Sequence, residues 1–167
     1  MMCIAALILL TATAQIERFD APAGPYAKVT HRFSNSLRYG DLVFISGQVA
    51  FSGKDHVELP EGIEAQTNAT LANVDLALEA AGSNVEHVLQ VTIWLRDIVR
   101  DYAGFNKVYD RWVTPGKPPA RACIESKILK DEMLVEVMVV AAARKRNLWD
   151  KFKAFLLRIG PMPTYAR

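Results

Sequence analysis

The feature that most constrains the fold is a repeated change of hydrophobic period along the chain. Leu71, Val74, Leu78 and Ala81 step by three, four and three, which predicts an amphipathic helix over residues 62–81 with Gly82 as its C′ residue. Tyr102, Phe105, Tyr109 and Trp112 repeat that spacing and predict a second helix, closed off by Pro115, Pro118 and Pro119. Between and around the helices the pattern is that of strands. Asp41 to Ser46 is a compact apolar run ended by Gly47, with a weaker strand at Phe33 to Arg38 before it and a hairpin turn at Tyr39-Gly40-Asp41. Val49-Ala50-Phe51 reads as a third strand, broken by Ser52-Gly53-Lys54-Asp55. Leu89, Val91, Ile93 and Leu95 alternate with polar positions in a fourth, and Ala120–Ser126 and Leu134–Ala141 flank Lys130-Asp131-Glu132 as the last two. Three strands, helix, strand, helix, two strands is an α+β order. It predicts a mostly antiparallel sheet of about six strands with both helices on one face.

Composition sets the outer limits. A chain of 167 residues, 51% hydrophobic and 23% charged, fits one ordinary domain and excludes a disordered polymer. No run of about 18 apolar residues occurs, so no membrane-spanning helix is expected. Cys3 and Cys123 cannot make a disulfide scaffold, which points to a reducing compartment and a cytoplasmic protein. The net charge of +2 hides an asymmetry. Residues 144–167 carry seven cations against Asp150 alone, a net of +6, which leaves −4 for residues 1–143.

The chain therefore divides into residues 1–14, 15–143 and 144–167. The first segment is uncharged and signal-like, with Ala12-Thr13-Ala14 as a small-residue cleavage pattern but no basic lead. An export signal, a misplaced start and an extra element packed on the domain all fit it. In the last segment Leu148, Phe152, Phe155, Leu156 and Ile159, interleaved with Lys151, Lys153 and Arg158, predict a basic amphipathic helix docked on its own subunit or a neighbour.

Most devices of catalysis are missing from the sequence. His31, His56 and His87 are dispersed, so no metal site is expected, and no phosphate-binding glycine loop or GxSxG elbow occurs. Cys123 sits in mid-strand and reads as a small core thiol. Two charges in the last strand pair stand out. Glu136 interrupts the apolar run Leu134 to Val140, and a carboxylate there needs a cation, donors or water. Arg121 opens the preceding strand. A hairpin centred on Lys130-Asp131 would set Arg121 opposite Val140 and project both charges from one side of the sheet. On the residues alone, a structural ion pair and a functional pair both remain open.

The arrangement Pro119-Ala120-Arg121-Ala122-Cys123-Ile124-Glu125 with Glu136 fifteen positions after the arginine resembles the Rid family (YjgF type). Ser46-Gly47-Gln48 after a buried strand, Gln66 and Asn73 on the first helix, Asp97 and Asn106 strengthen the resemblance, which spans roughly residues 30–143. It implies a chorismate-mutase-like α+β protomer and a homotrimer with clefts between subunits. The implied activity is cofactor-independent hydrolysis of enamine and imine intermediates to 2-oxo acids and ammonia. By position, Arg121 would grip the substrate carboxylate and Glu136 would activate water. Gly47, Ser46 and the backbone of Cys123 would line the pocket, and Asn106 would support it. No metal and no cofactor are implied.

The family's first-strand tyrosine has two counterparts here. Ungapped counting puts Phe33 in its place, whereas Tyr26 in Gly24-Pro25-Tyr26 matches the usual motif at the cost of a seven-residue insertion. Two other functions fit the same resemblance: a non-catalytic trimer binding small carboxylates or a protein, and RNA cleavage. The basic tail is the only sequence support for the second, so a nucleic-acid partner is not expected.

Overall fold

The structure is a computed structural model, and it describes residues 15–19, 33–51 and 59–144. The readings of residues 1–14 and of the helix at 148–159 lie outside these residues, as do Tyr26 and the strand break at 52–55. The elements are β1 (Ile16–Phe19), β2 (Ser36–Tyr39), β3 (Leu42–Val49), α1 (Ile63–Ala80), β4 (Val88–Leu95), α2 (Ile98–Trp112), β5 (Ala120–Glu125) and β6 (Val135–Ala142). A single turn of 3-10 helix at Val85–His87 leads into β4. The six strands form one sheet in the order β1-β2-β3-β6-β4-β5, antiparallel throughout except for β4 with β5.

The expected α+β architecture holds, with a different division of the strands. Phe33 to Phe51 yields β2 over 36–39 and a single β3 where two further strands were expected, because a bulge between Ile45 and Gln48 lets the strand run on through Gly47. The sixth strand is β1, too short and too charged (Ile-Glu-Arg-Phe) to stand out in the sequence. Gly40 and Asp41 form the expected turn, with Gly40 at a φ of 59°. In β4 a bulge at Leu89 turns Val88 inward and leaves Leu89 47% exposed, so Leu89 is not on the core face.

Both helices cover one face. α1 lies over β3 and β6 and packs against α2. The covered face presents Val43, Ile45, Val91, Ile93, Leu95, Val135, Val137, Val139 and Ala141, all at most 1% exposed, to Leu71, Val74, Leu78 and Phe105 of the helices. Each large apolar side chain buried there contributes roughly 1.5–3 kcal/mol. α1 ends as the sequence predicts: Ser83 N–H donates to the Leu78 carbonyl and Gly82 N–H to Glu79, and Gly82 takes the left-handed φ of 78° that this closure needs.

The largest correction concerns the last two strands. They are not a hairpin. β6 inserts between β3 and β4, and β5 lies at the far edge, parallel to β4 and reached through α2. A parallel partner requires a crossover, and α2 supplies it. Asp97 caps α2 by accepting from Arg100 N–H at 2.9 Å, and Glu125 at the end of β5 accepts from Ile98 N–H at 2.9 Å. This second bond ties the start of α2 to β5 and fixes the cleft between them.

Candidate active site

Arg121 faces the helices. Its register partner across the sheet is Val91, which in turn pairs with Val139, and both belong to the covered face. At the sheet edge the covered face is open, so the side chain remains exposed to solvent while its guanidinium lies over α2. The guanidinium carbon is 4.5 Å from the ring centre of Tyr109, 5.3 Å from Phe105 and 5.7 Å from Tyr102. Cys123, two residues on and on the same face, lies within the electrostatic reach of the guanidinium. Burial pushes the Cys123 thiol up from its ordinary value, and the arginine pulls it partly back. The same two effects act in the same order on the Tyr109 phenol. Ile98, Val99, Tyr102, Arg121 and Cys123 line a cleft of about 580 Å³.

Glu136 projects from the opposite face. It pairs with Trp94, which pairs with Ile124, in the row of side chains turned away from α1 and α2. Along the strands it lies three residues from the level of Arg121, about 10 Å, and two strands away. The expectation that both charges share a side is therefore overturned. The physical reason is the inserted β6, which replaces hairpin register by pairings to β4 on both sides. Burial raises the Glu136 carboxyl above its usual range, and no cation pairs with it among the described residues. Gly47 sits directly beneath: a Cβ added there would overlap Glu136 Oε1, so the glycine makes room for the carboxylate.

The other expected residues fall into two groups. Ser46 and Gly47 occupy the β3 bulge beside Glu136, and Ser46 Oγ donates to the Ser34 carbonyl at 2.7 Å. Phe33, half exposed, adjoins that carbonyl but precedes β2 and is not on a strand. Cys123 lines the same cleft as Arg121, and Asn106 lies on α2 between Phe105 and Tyr109. The Asn106 Oδ1 and Tyr109 hydroxyl are buried without a hydrogen-bond partner among the described residues. The candidate residues thus fall on two faces of the sheet, Arg121 with Cys123 on one and Glu136 with Ser46 and Gly47 on the other.

The remaining motif residues are structural. Gln66 donates to the Glu132 carbonyl and accepts from Leu134 N–H, and Asn73 Nδ2 donates to the carbonyls of Val49 and Phe51. The sequence reading missed the aromatic face of α2, whose spacing signals a core stripe. Only the exposure of Tyr102, at 45%, separates it from one. Among the described residues no cluster of His, Cys, Asp or Glu is suited to a metal ion, and no helix is long and apolar enough to cross a membrane.

A six-stranded sheet of this order, with an arginine at its open edge and a carboxylate over a glycine bulge, has clear relatives. The family model described as Endoribonuclease L-PSP matches residues 24–143, taking in Gly24-Pro25-Tyr26 as well as Phe33. A RutC family protein of Saccharolobus solfataricus is 34% identical over 125 residues, covering 75% of this chain and 92% of its own. The RutC family protein YoaB of Escherichia coli is 34% identical over 115 residues, 66% of this chain and 96% of its own. Among solved structures, a YjgF family member from Neisseria meningitidis superposes with a TM-score of 0.68 at 35% identity, over 80% of this chain and 99% of its own. The chain belongs to this family, known as L-PSP, RutC or YjgF, and the resemblance read from its motifs holds.

Proposed function

We propose that this protein is a cofactor-independent hydrolase that deaminates reactive enamine and imine intermediates of the 2-iminopropanoate and 2-iminobutanoate type. One observation carries the reading: Arg121 and Glu136, opposite in charge and each without an ion-pair partner among the described residues, lie on opposite faces of one sheet. Groups so placed cannot meet on one small molecule within a protomer. They can meet between protomers, when the uncovered face of one subunit lies against the Arg121 edge of the next.

That uncovered face is suited to such contact. Leu42, Phe44 and Met138 are 38–40% exposed on it and Ile124 is 47% exposed. A homotrimer would then hold three clefts, each with Arg121, Asn106 and Cys123 from one subunit. Glu136, Gly47 and Ser46, with Phe33 or Tyr26, come from its neighbour.

The chemistry needs little else. The guanidinium takes the substrate carboxylate in a two-pronged bond. The protonated imine carbon is already electrophilic, so water can add to it without a metal or a covalent nucleophile. Glu136 accepts a proton from that water, and burial makes it a better base by raising its pKa. The proton passes to the amine nitrogen, and as the C–N bond breaks Glu136 takes the proton of the new hydroxyl, so that ammonia and a 2-oxo acid leave. The one described cysteine, Cys123, is a free thiol, in keeping with a cytoplasmic setting.

The test is release of pyruvate from 2-aminoacrylate generated by a serine or cysteine lyase. Wild type accelerates it, and Arg121→Ala and Glu136→Ala each lower the rate at least 100-fold. Mixing the two variants as unfolded chains and refolding them together restores about a quarter of the sites, because each cleft draws on two subunits. No acceleration by wild type, or an active Arg121→Ala, sinks the reading. Carboxylate binding without turnover would put a non-catalytic binding trimer in its place. Cleavage of RNA without imine turnover, as the family's description suggests, would put a ribonuclease there.

A further inference from the structure

We infer that the aromatic face of α2, Tyr102, Phe105 and Tyr109, is a positioning device for the Arg121 guanidinium, with Tyr102 as its member on the ligand side. The inference rests on the proposed role of Arg121 as the carboxylate anchor.

Other arginines of the chain show what a structural arginine looks like. Arg96 donates to the carbonyls of Met133, Ile128 and Lys130 and pairs with Asp131 at 3.0 Å, which uses its nitrogens to hold the loop before β6. Arg100 makes two bonds to the Asp101 carboxylate. Arg121 has neither a carbonyl nor a carboxylate partner among the described residues. Its neighbours are three ring faces at 4.5–5.7 Å and the Cys123 thiol.

The difference has a physical consequence. A carboxylate partner would neutralise the charge and occupy the donors. A ring face attracts the cation through its quadrupole and leaves the in-plane N–H groups available to a ligand. The rings also limit the rotamers of a long side chain, which lowers the entropy lost when it grips a carboxylate. Tyr109 and Phe105 are anchored in the core at 5% and 0% exposure, so they form a rigid floor, stacked at 5.5 Å between centres. Tyr102 stands clear of the core and lines the cleft with Arg121 and Cys123. Its loss therefore tests the device without emptying the interior.

The probe is 2-oxobutanoate, whose binding is measured by calorimetry on the full-length protein beside imine kinetics and thermal melts. Tyr102→Leu is expected to weaken binding and raise KM by about two- to fivefold, with kcat within twofold of wild type and Tm unchanged. Tyr102→Phe, which keeps the ring, restores both. Tyr109→Leu has the larger effect on affinity if it folds, and the Tyr102 pair decides the question if it does not. Wild-type affinity in Tyr102→Leu, while Arg121→Ala loses binding, overturns the inference alone. So does a loss in Tyr102→Phe equal to that in Tyr102→Leu, which would credit the hydroxyl rather than the ring. Unchanged binding in Arg121→Ala overturns the anchoring role itself, and the positioning device with it.

Discussion

The two faces of the sheet are built from alternate residues of the same strands, yet they have opposite character. Along β6, Val135, Val137 and Val139 are closed under the helices, while Glu136 and Met138 between them face outward with nothing over them among the described residues. The centre of the covered face is finished within one chain, apolar and close-packed, with its charges kept to Arg38 on β2 and Arg121 at the open edge. The uncovered face keeps apolar side chains exposed and, over a glycine, a carboxylate with no ion-pair partner among the described residues. Neither feature favours a lone protomer, since exposed apolar area and a partly desolvated charge both cost free energy. A surface that stabilises nothing by itself is what a subunit boundary carrying half a site would look like. Stability thus resides on the covered face and, in the proposed reading, chemistry arises where the open edge of that face meets the uncovered face of a neighbour.

The contrast can be broken most forcefully from the covered side. Ile93 is fully buried beneath the helices. Ile93→Ala should destabilise the fold by about 2–4 kcal/mol and lower Tm by roughly 6–12 °C in thermal denaturation. A loss under 1 kcal/mol would mean that this face is not the principal core.

A smaller effect on the fold, and a larger one on assembly, is expected from the other side. Phe44 lies between covered Val43 and Ile45 but points outward at 38% exposure. Phe44→Arg should leave the protomer folded, with Tm lowered by no more than a few degrees. If the subunits assemble as proposed, light scattering should then report an 18.6 kDa particle in place of an oligomer, with imine turnover reduced at least tenfold. An oligomer of unchanged mass would show that some other surface joins the subunits.

The sequence made the two faces legible but not their neighbours. Period-two alternation assigns Val135, Val137 and Val139 to one side and Glu136 to the other whatever strand lies alongside. It carries no information about order across the sheet. The short link from β5 to β6 looks like a hairpin, and the competing parallel pairing of β5 with β4 depends on α2 packing, which is a tertiary effect. Arg121 was consequently recognisable as a candidate by residue type and motif while its side of the sheet was not. The aromatic residues of α2 illustrate a second limit. Tyr102, Phe105 and Tyr109 share one stripe, but only the proximity of the sheet edge converts part of that stripe from core into the surroundings of a cation. Gln66 and Asn73 show the reverse case, since motif membership drew attention to residues whose work is to tie loops to α1.

The finest test of the two-face contrast is the proton on Glu136. Burial alone raises its pKa above the ordinary 4.5. A carboxyl whose folded-state value exceeds its unfolded one holds the proton more tightly when folded, so its contribution to stability is complete below about pH 4.5. That contribution is lost as pH rises through the folded value, above which the ionised group bears its desolvation cost in full. Glu136→Gln removes this titration. In the dissociated Phe44→Arg background, where position 44 is four residues along the register and largely screened, the glutamine variant should melt slightly higher at neutral pH. The gap should close as pH falls toward 4.5. The effect is small because Glu136 is only half buried. In the assembled protein the sign should reverse if a neighbour's guanidinium reaches the carboxylate, since an ion pair lowers the pKa and makes the ionised form the stabilising one. Opposite signs in the two backgrounds would locate the missing partner of Glu136 across the subunit boundary. The same sign in both would mean that the carboxylate stays unpaired after assembly and that a water, rather than Arg121, is its neighbour.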